Sequence, residues 1–210
     1  MVPEICDNRF VYGGQIQRNA KMHVQDFADN ASDVQHFLPL HSHLMGPVGI
    51  RHKVKWERHP DHSHIMFFLN DACLTLVGYP LELTGSFAYV TFVGPSVVMF
   101  RFFTQTGQVL VIKSFLPLKP LEQQVKDVWF CEPKVPRTLA KYFVDNFVRA
   151  VDEDRVVWEN KIWCRQPVLV PNDGPINKCR AWFKQFYSTN SRKVASEPAG
   201  CGGQPTSIDW

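Results

Sequence analysis

No two of the six cysteines, at 6, 73, 131, 164, 179 and 201, form a CxxC, and none pair at short spacing. That excludes a zinc ribbon and a dense disulfide framework, and it fits reduced thiols in an intracellular protein. Charge of one sign is also missing. The 23 basic and 20 acidic residues leave a net charge of +3, and no basic stripe interleaved with aromatics appears. Nucleic acid is therefore not an expected partner. The opening "MVPEICDNRF" has no apolar core of the kind a secretory signal carries. One long uncharged run does exist, the 18 residues from Leu83 to Phe100. It is long enough for a membrane helix, but Gly94-Pro95 interrupts it and β-branched and aromatic residues flank the break. Two strands joined by a turn are the expected outcome.

What remains is an ordinary globular balance in 210 residues, 45% hydrophobic and 20% charged, enough for one domain with a real core. The 16 phenylalanines could line an apolar cavity or fill an aromatic core. Arg9 to Tyr12 reads as a short strand ended by Gly13-Gly14. His23 to Leu38 reads as a helix that Pro39 breaks, because proline lacks an N–H and clashes with the preceding turn. From Val48 to about Phe130, strand-like runs alternate with turn formers, which predicts an antiparallel meander. After Pro136 the period becomes helical. Leu139, Phe143, Phe147, Val151 and Trp158 share a face, with Ala140, Val144, Ala150 and Val157 alongside. A helix from about Thr138 to Trp163 would be about 40 Å long at roughly 1.5 Å per residue. A second helix is expected over about Ile176 to Tyr187. The Gly-, Ser- and Pro-rich tail from Ser188 is expected to be disordered. The fold class is α+β, with a curved antiparallel sheet packed on a long C-terminal helix.

The densest chemistry lies in "DNASDVQHFLPLHSH", residues 29–43. Asp33, His36 and His41 form D-x-x-H-x-x-x-x-H. On an unbroken helix His36 and His41 would lie about 140° apart, at roughly 100° per residue. A break at Pro39 can turn His41 back toward His36, while Asp33 stands one turn before His36. Two imidazoles with one carboxylate from elsewhere make a facial triad suited to Fe(II), with positions open for dioxygen. The plainer alternative is a polar loop with solvated histidines. "HPDHSH" at 59–64 is also metal-like, but between strands it reads as an exposed turn. The carboxylate candidates are Asp152, Glu153 and Asp154 in "VDEDRVVWENK". They could instead be a solvated face pairing with Arg149 and Arg155. Asp154, four before Trp158 on the apolar stripe, has the best claim to point inward.

"DNASDVQHFLPLH" resembles the mononuclear-iron motif of Rieske non-haem iron oxygenases. "DRVVWENKIW" and "PVLVPNDGPINKCRAWFKQFY" are similar to the C-terminal end of the sterol branch, the Neverland-type cholesterol 7-desaturases, which are related to bacterial 3-ketosteroid 9α-hydroxylase oxygenases. The resemblance covers about residues 4–188. It implies a helix-grip (START-like) oxygenase catalytic domain over 1–188 and a tail over 189–210. It implies His36, His41 and Asp154 as Fe(II) ligands. Asp33 becomes the acid that hydrogen-bonds an iron-ligating histidine and links the iron to a neighbouring Rieske cluster. The implied substrates are a sterol and dioxygen, with hydrogen abstraction at ring carbon 7 and formation of the 7,8 double bond.

Asp29-Asn30-Ala31-Ser32 stands where the family usually has a glutamate and a glycine. A Rieske 2Fe-2S cluster also needs C-x-H and C-x-x-H, and no cysteine of these 210 residues is followed by histidine at either offset. The expectation is a catalytic domain that takes electrons from a reductase through a Rieske-domain subunit, with a homotrimer as the candidate assembly. Nothing in the sequence resembles the family's N-terminal membrane anchor, so the expected location is intracellular, either cytoplasmic or membrane-associated. The same cavity without redox chemistry, as a sterol- or lipid-binding module or a regulatory subunit, is the competing reading.

Overall fold

In the strand Glu122–Cys131, burial alternates residue by residue, with Gln123, Val125, Asp127, Trp129 and Cys131 facing inward. That period of two is the signature of a sheet covered on one face. The structure is a computed structural model. It describes residues 3–41, 48–76, 79–80, 86–161, 169–170, 172–189 and 191. Along the chain run helix α1 (Pro3–Cys6), strand β1 (Val11–Ala20), helices α2 (Val24–Ser32) and α3 (Phe37–His41) and strands β2 (Val48–Arg58), β3 (Ile65–Leu76) and β4 (Tyr79–Pro80). There follow β5 (Ser86–Val93), β6 (Val97–Thr104), β7 (Gly107–Lys119) and β8 (Glu122–Cys131), then α4 (Arg137–Asn160) and α5 (Ile176–Phe183). The strands form one antiparallel sheet in the order β1-β8-β7-β6-β5-β3-β2, with β4 beside β3. The expected meander is therefore present, with β1 closing onto β8.

From Ser86 on, the uncharged run becomes the β5–β6 hairpin, turned at Gly94 with φ +65°. Among the described residues, no helix is long and apolar enough to cross a membrane. Strand β1 corrects an expectation, because it continues through Gly13-Gly14 to Ala20. A Cβ on Gly13 would lie 2.1 Å from the Trp129 ring, so the glycine lets the indole lie flat on the backbone, beside a bulge between Tyr12 and Gly14. The glycines accommodate a neighbour here rather than end the strand.

The aromatic strand residues divide by face. Phe92 and Phe100 are buried under the helices, and Phe102 and Phe100 meet Phe143 and Phe147 of α4 at 4.8 Å between centroids. Phe87 and Tyr89 lie on the opposite face, each 42% exposed. The buried line of α4 is Ala140, Val144, Val151, Asp154 and Trp158, in steps of three, four and seven. Leu139 and Val157, placed on that stripe from sequence, are exposed. The helix stops at Asn160 rather than Trp163, with Lys161 as its cap. Helix α5 is continued by a short 3-10 turn to Phe186, and its Cys179 thiol donates to the Ala28 carbonyl of α2. The tail expected to be disordered lies almost wholly outside the described residues.

Candidate metal centre

Helix α2 ends because the Asp33 backbone is extended, with φ −84° and ψ 108°. The Asp33 carboxylate accepts from the Gln35 N–H at 2.9 Å, a local turn that competes with further helix. A distant loop holds this one. The Val34 N–H donates to the Asp173 carbonyl at 2.8 Å, and the Gln35 side chain donates to the Asn172 carbonyl at 3.1 Å. Gly174, at φ +103°, lies so close that a Cβ would come within 2.3 Å of the Ser32 carbonyl oxygen. The break thus falls at residues 33–36, ahead of α3, and not at Pro39. Pro39 sits in the first turn of α3, where its missing N–H leaves no bond unmade.

This geometry puts His36 in the turn and His41 at the end of α3, facing Asp154 on α4. His36, His41 and Asp154 are buried, and one ligand atom from each lies within 4.8 Å of the others. The imidazole centroids are 5.4 Å apart and the rings nearly perpendicular, at 87°. His36 donates its Nδ1–H to the Asp33 carbonyl at 2.5 Å, and His41 donates its Nδ1–H to Glu153 Oε2 at 2.9 Å. Each outer bond selects the tautomer whose Nε2 lone pair faces the centre. The Nε2 atoms lie 3.9 Å and 3.1 Å from Asp154 Oδ1. Asn30 donates to Asp154 Oδ2 at 3.1 Å and lies 3.3 Å from His36 Nε2. Asp154 Oδ1 is buried without a hydrogen-bond donor. An open carboxylate oxygen facing two imidazole lone pairs is a donor set that fits a divalent transition ion.

The two histidines differ electrostatically. Burial pushes the His36 pKa below its ordinary value, and the Asp154 charge and the Asp33 contact offset only part of that. Burial also works against charge on His41, but there the Asp154 and Glu153 carboxylates outweigh it and raise the pKa. The pocket therefore attracts positive charge at His41 while keeping His36 neutral, ready to ligate.

The sequence pattern of the 3-ketosteroid 9α-hydroxylase C-terminal domain family matches residues 2–187. This chain belongs to that family, the catalytic domains of Rieske oxygenases. It is 29% identical to the cholesterol 7-desaturase of Caenorhabditis elegans, over all of this chain and 53% of that protein. It is also 29% identical to the cholesterol 7-desaturase nvd of Hemicentrotus pulcherrimus, over 88% of this chain and 42% of that protein. The chain spans about half the length of these curated relatives. Among solved structures, Pseudomonas putida CBB5 NdmA with caffeine superposes with a TM-score of 0.60 at 14% identity, over 86% of this chain and 53% of that one. Dicamba monooxygenase bound to dicamba gives 0.54 at 13%, over 84% and 57%. These likenesses establish the α+β fold with its large antiparallel sheet.

In this oxygenase domain the three consecutive acids of α4 have three different tasks. Asp152 pairs with Arg18 at 2.9 Å, and Arg18 also holds Asp127 at 2.6 Å. Glu153 accepts from His41, and Asp154 alone of the three is buried. Asp33 contacts His36 through its backbone carbonyl, while its carboxylate stays on Gln35. His43 lies outside the described residues. In the 59–64 turn, His59 Nδ1 accepts from the N–H groups of Asp61 and His62, and among the described residues only the 36–41–154 group has metal-ligand spacing. Sequence reasoning overlooked Asn30. Its signal was present, three residues before Asp33 on the face of α2 that turns toward α4.

Proposed function

We propose that this chain is the catalytic domain of a sterol 7-desaturase, extending over residues 1–188, with His36, His41 and Asp154 holding one Fe(II). The observation that carries the proposal is the convergence of two Nε2 atoms on a buried carboxylate oxygen that has no donor. The names of the curated relatives support a sterol substrate and the conversion of cholesterol to 7-dehydrocholesterol. A helix-grip arrangement, in which α4 lies along the concave sheet, fits the contacts of Phe143 and Phe147 with β6.

Each residue has a definable part. The Asp33 carbonyl and the Glu153 carboxylate hold the two rings in the tautomer that turns the Nε2 lone pair toward Asp154. Asn30 occupies one oxygen of Asp154 and leaves the other open. Phe27 and Trp158, in contact at 5.7 Å and both buried, exclude water on the core side. Bound here, ferrous iron would supply dioxygen activation, the chemistry needed to take hydrogen from an unactivated ring carbon. The electron source we propose is a reductase acting through a Rieske centre outside these 210 residues, which have no C-x-H or C-x-x-H, with a homotrimer as the assembly. Asp33, at the surface end of the His36 contact, is the residue we assign to that junction.

Anaerobic loading followed by metal analysis tests the reading. The expected result is about one Fe(II) per chain, lost in His36→Ala. Sterol product should form with reductase plus a Rieske-containing partner, and not with reductase alone. A chain that binds sterol but takes up no iron would instead be a redox-inactive lipid-binding module.

A further inference from the structure

Glu153 sits behind His41 and not in the cluster itself. Its Oε2 is 2.9 Å from Nδ1, on the side of the ring away from the Nε2 that faces Asp154. The two imidazoles are thus backed by different acceptors, a neutral carbonyl on His36 and a charged carboxylate on His41. A carboxylate on Nδ1–H draws the proton toward itself and puts electron density on Nε2, which strengthens that nitrogen as a donor. It also supplies charge. Two neutral imidazoles and Asp154 leave half of a divalent ion's charge unbalanced, and Glu153, through one ring, provides the other half.

The backbone explains why Glu153 alone of its neighbours does this. One residue earlier, Asp152 is committed to Arg18. One residue later, Asp154 points into the cluster. Glu153 lies between them at the margin of the site, with its side chain 23% exposed. It has the longer side chain of the three and reaches around the ring to Nδ1.

We infer that Glu153 is a positioning residue for the metal centre. It fixes the His41 tautomer and makes His41 the stronger of the two imidazole ligands. This rests on the proposed ligand set of His36, His41 and Asp154. The metal-free chain, titrated with Co(II) and followed by calorimetry and visible absorption, provides the test. Wild type should bind one equivalent. Glu153→Ala should still bind one equivalent, but about 10–100-fold more weakly, with a shifted Co(II) band because the His41 donor has changed. Glu153→Gln, whose amide oxygen still accepts the Nδ1–H, should fall between the two. Glu122→Gln, at the β7–β8 turn where the carboxylate pairs with Lys119, should match wild type and controls for net charge. If Glu153→Ala does not fold, Glu153→Gln decides by the same two readouts. Affinity within about twofold of wild type and an unmoved band in the Glu153 variants would overturn the inference and leave the ligand set standing. A wild-type chain that binds no Co(II) would remove both.

Discussion

Asp127 and Asp154 are both buried beside the inner face of α4, and they meet burial in opposite ways. Asp127 has two cationic partners, with Lys113 at 2.7 Å and Arg18 at 2.6 Å. Lys113 is itself fully buried, capped by the Phe27 and Phe147 rings. The buried Asp26 and Asp29 are likewise matched, by Lys161 and Arg180. Asp154 has no lysine or arginine ion pair among the described residues, only two imidazoles and an amide. A buried carboxylate without a cation is costly unless something neutralises it. The chain neutralises three of these four sites with a lysine or an arginine and leaves the fourth to a titrating imidazole or to a charge from outside. A structural ion cluster and a metal site can thus be distinguished by asking whether the polypeptide supplies its own counter-charge.

The sharpest way to break this comparison is to make the same change in both places. Asp127→Asn leaves Lys113 buried and under-compensated, and should cost about 3–5 kcal/mol in urea denaturation of the metal-free chain. Asp154→Asn removes a charge with no permanent partner. It should leave metal-free stability at about pH 8 unchanged or raised while abolishing metal uptake. Equal destabilisation by both would mean that Asp154 is an ordinary structural ion. A smaller effect should separate the regions. Gly174→Ala forces a side chain into positive φ and against the Ser32 carbonyl, at about 1–3 kcal/mol. Because that loop holds Val34 and Gln35, metal affinity should fall with stability, and the Lys113–Asp127 pair should be untouched.

The smallest expected effect acts on both regions together, through α2, which sets Phe27 on Lys113 and Asn30 on Asp154. His23 caps this helix, with its Nδ1 accepting from the Gln25 N–H. Burial lowers the His23 pKa below 6.5, and Asp26 and Asp29 restore only part. A base with a depressed folded-state pKa favours the fold above its unfolded value. Its contribution is therefore complete above about pH 6.5 and is lost as the pH falls through that value and the lower folded one. The loss should approach that of a helix cap, about 0.5–2 kcal/mol. His23→Asn, which keeps a cap acceptor that does not titrate, should flatten this part of the stability profile.

The parts that sequence made legible depend on near neighbours. The Gly94-Pro95 turn converted an apolar run into a hairpin, and the spacing to Trp158 picked Asp154 from three consecutive acids as the one pointing inward. The parts that were not legible depend on residues far along the chain. Nothing near Gly13 announces Trp129, so the glycine pair looked like a stop. Nothing near Pro39 announces that Asp173 and Gly174 already break the helix at residues 33–36. The proline, an obvious breaker, was credited with a turn made elsewhere. Asn30 stands one turn before Asp33, but its partner Asp154 comes from the other end of the domain, so its position alone did not show its task.

The three acids of α4 also bear on how this domain can diverge. Successive helix residues are turned by roughly 100°, so Asp152, Glu153 and Asp154 address three separate neighbours only while α4 keeps its phase. A single-residue deletion between Ala140 and Asp152 would rotate all three at once, moving each acid off its neighbour together. Substitutions along the exposed side of the helix disturb none of this. In descendants of this chain, the number of residues in that stretch should be held more strictly than their identity, and gaps should accumulate in the loops instead.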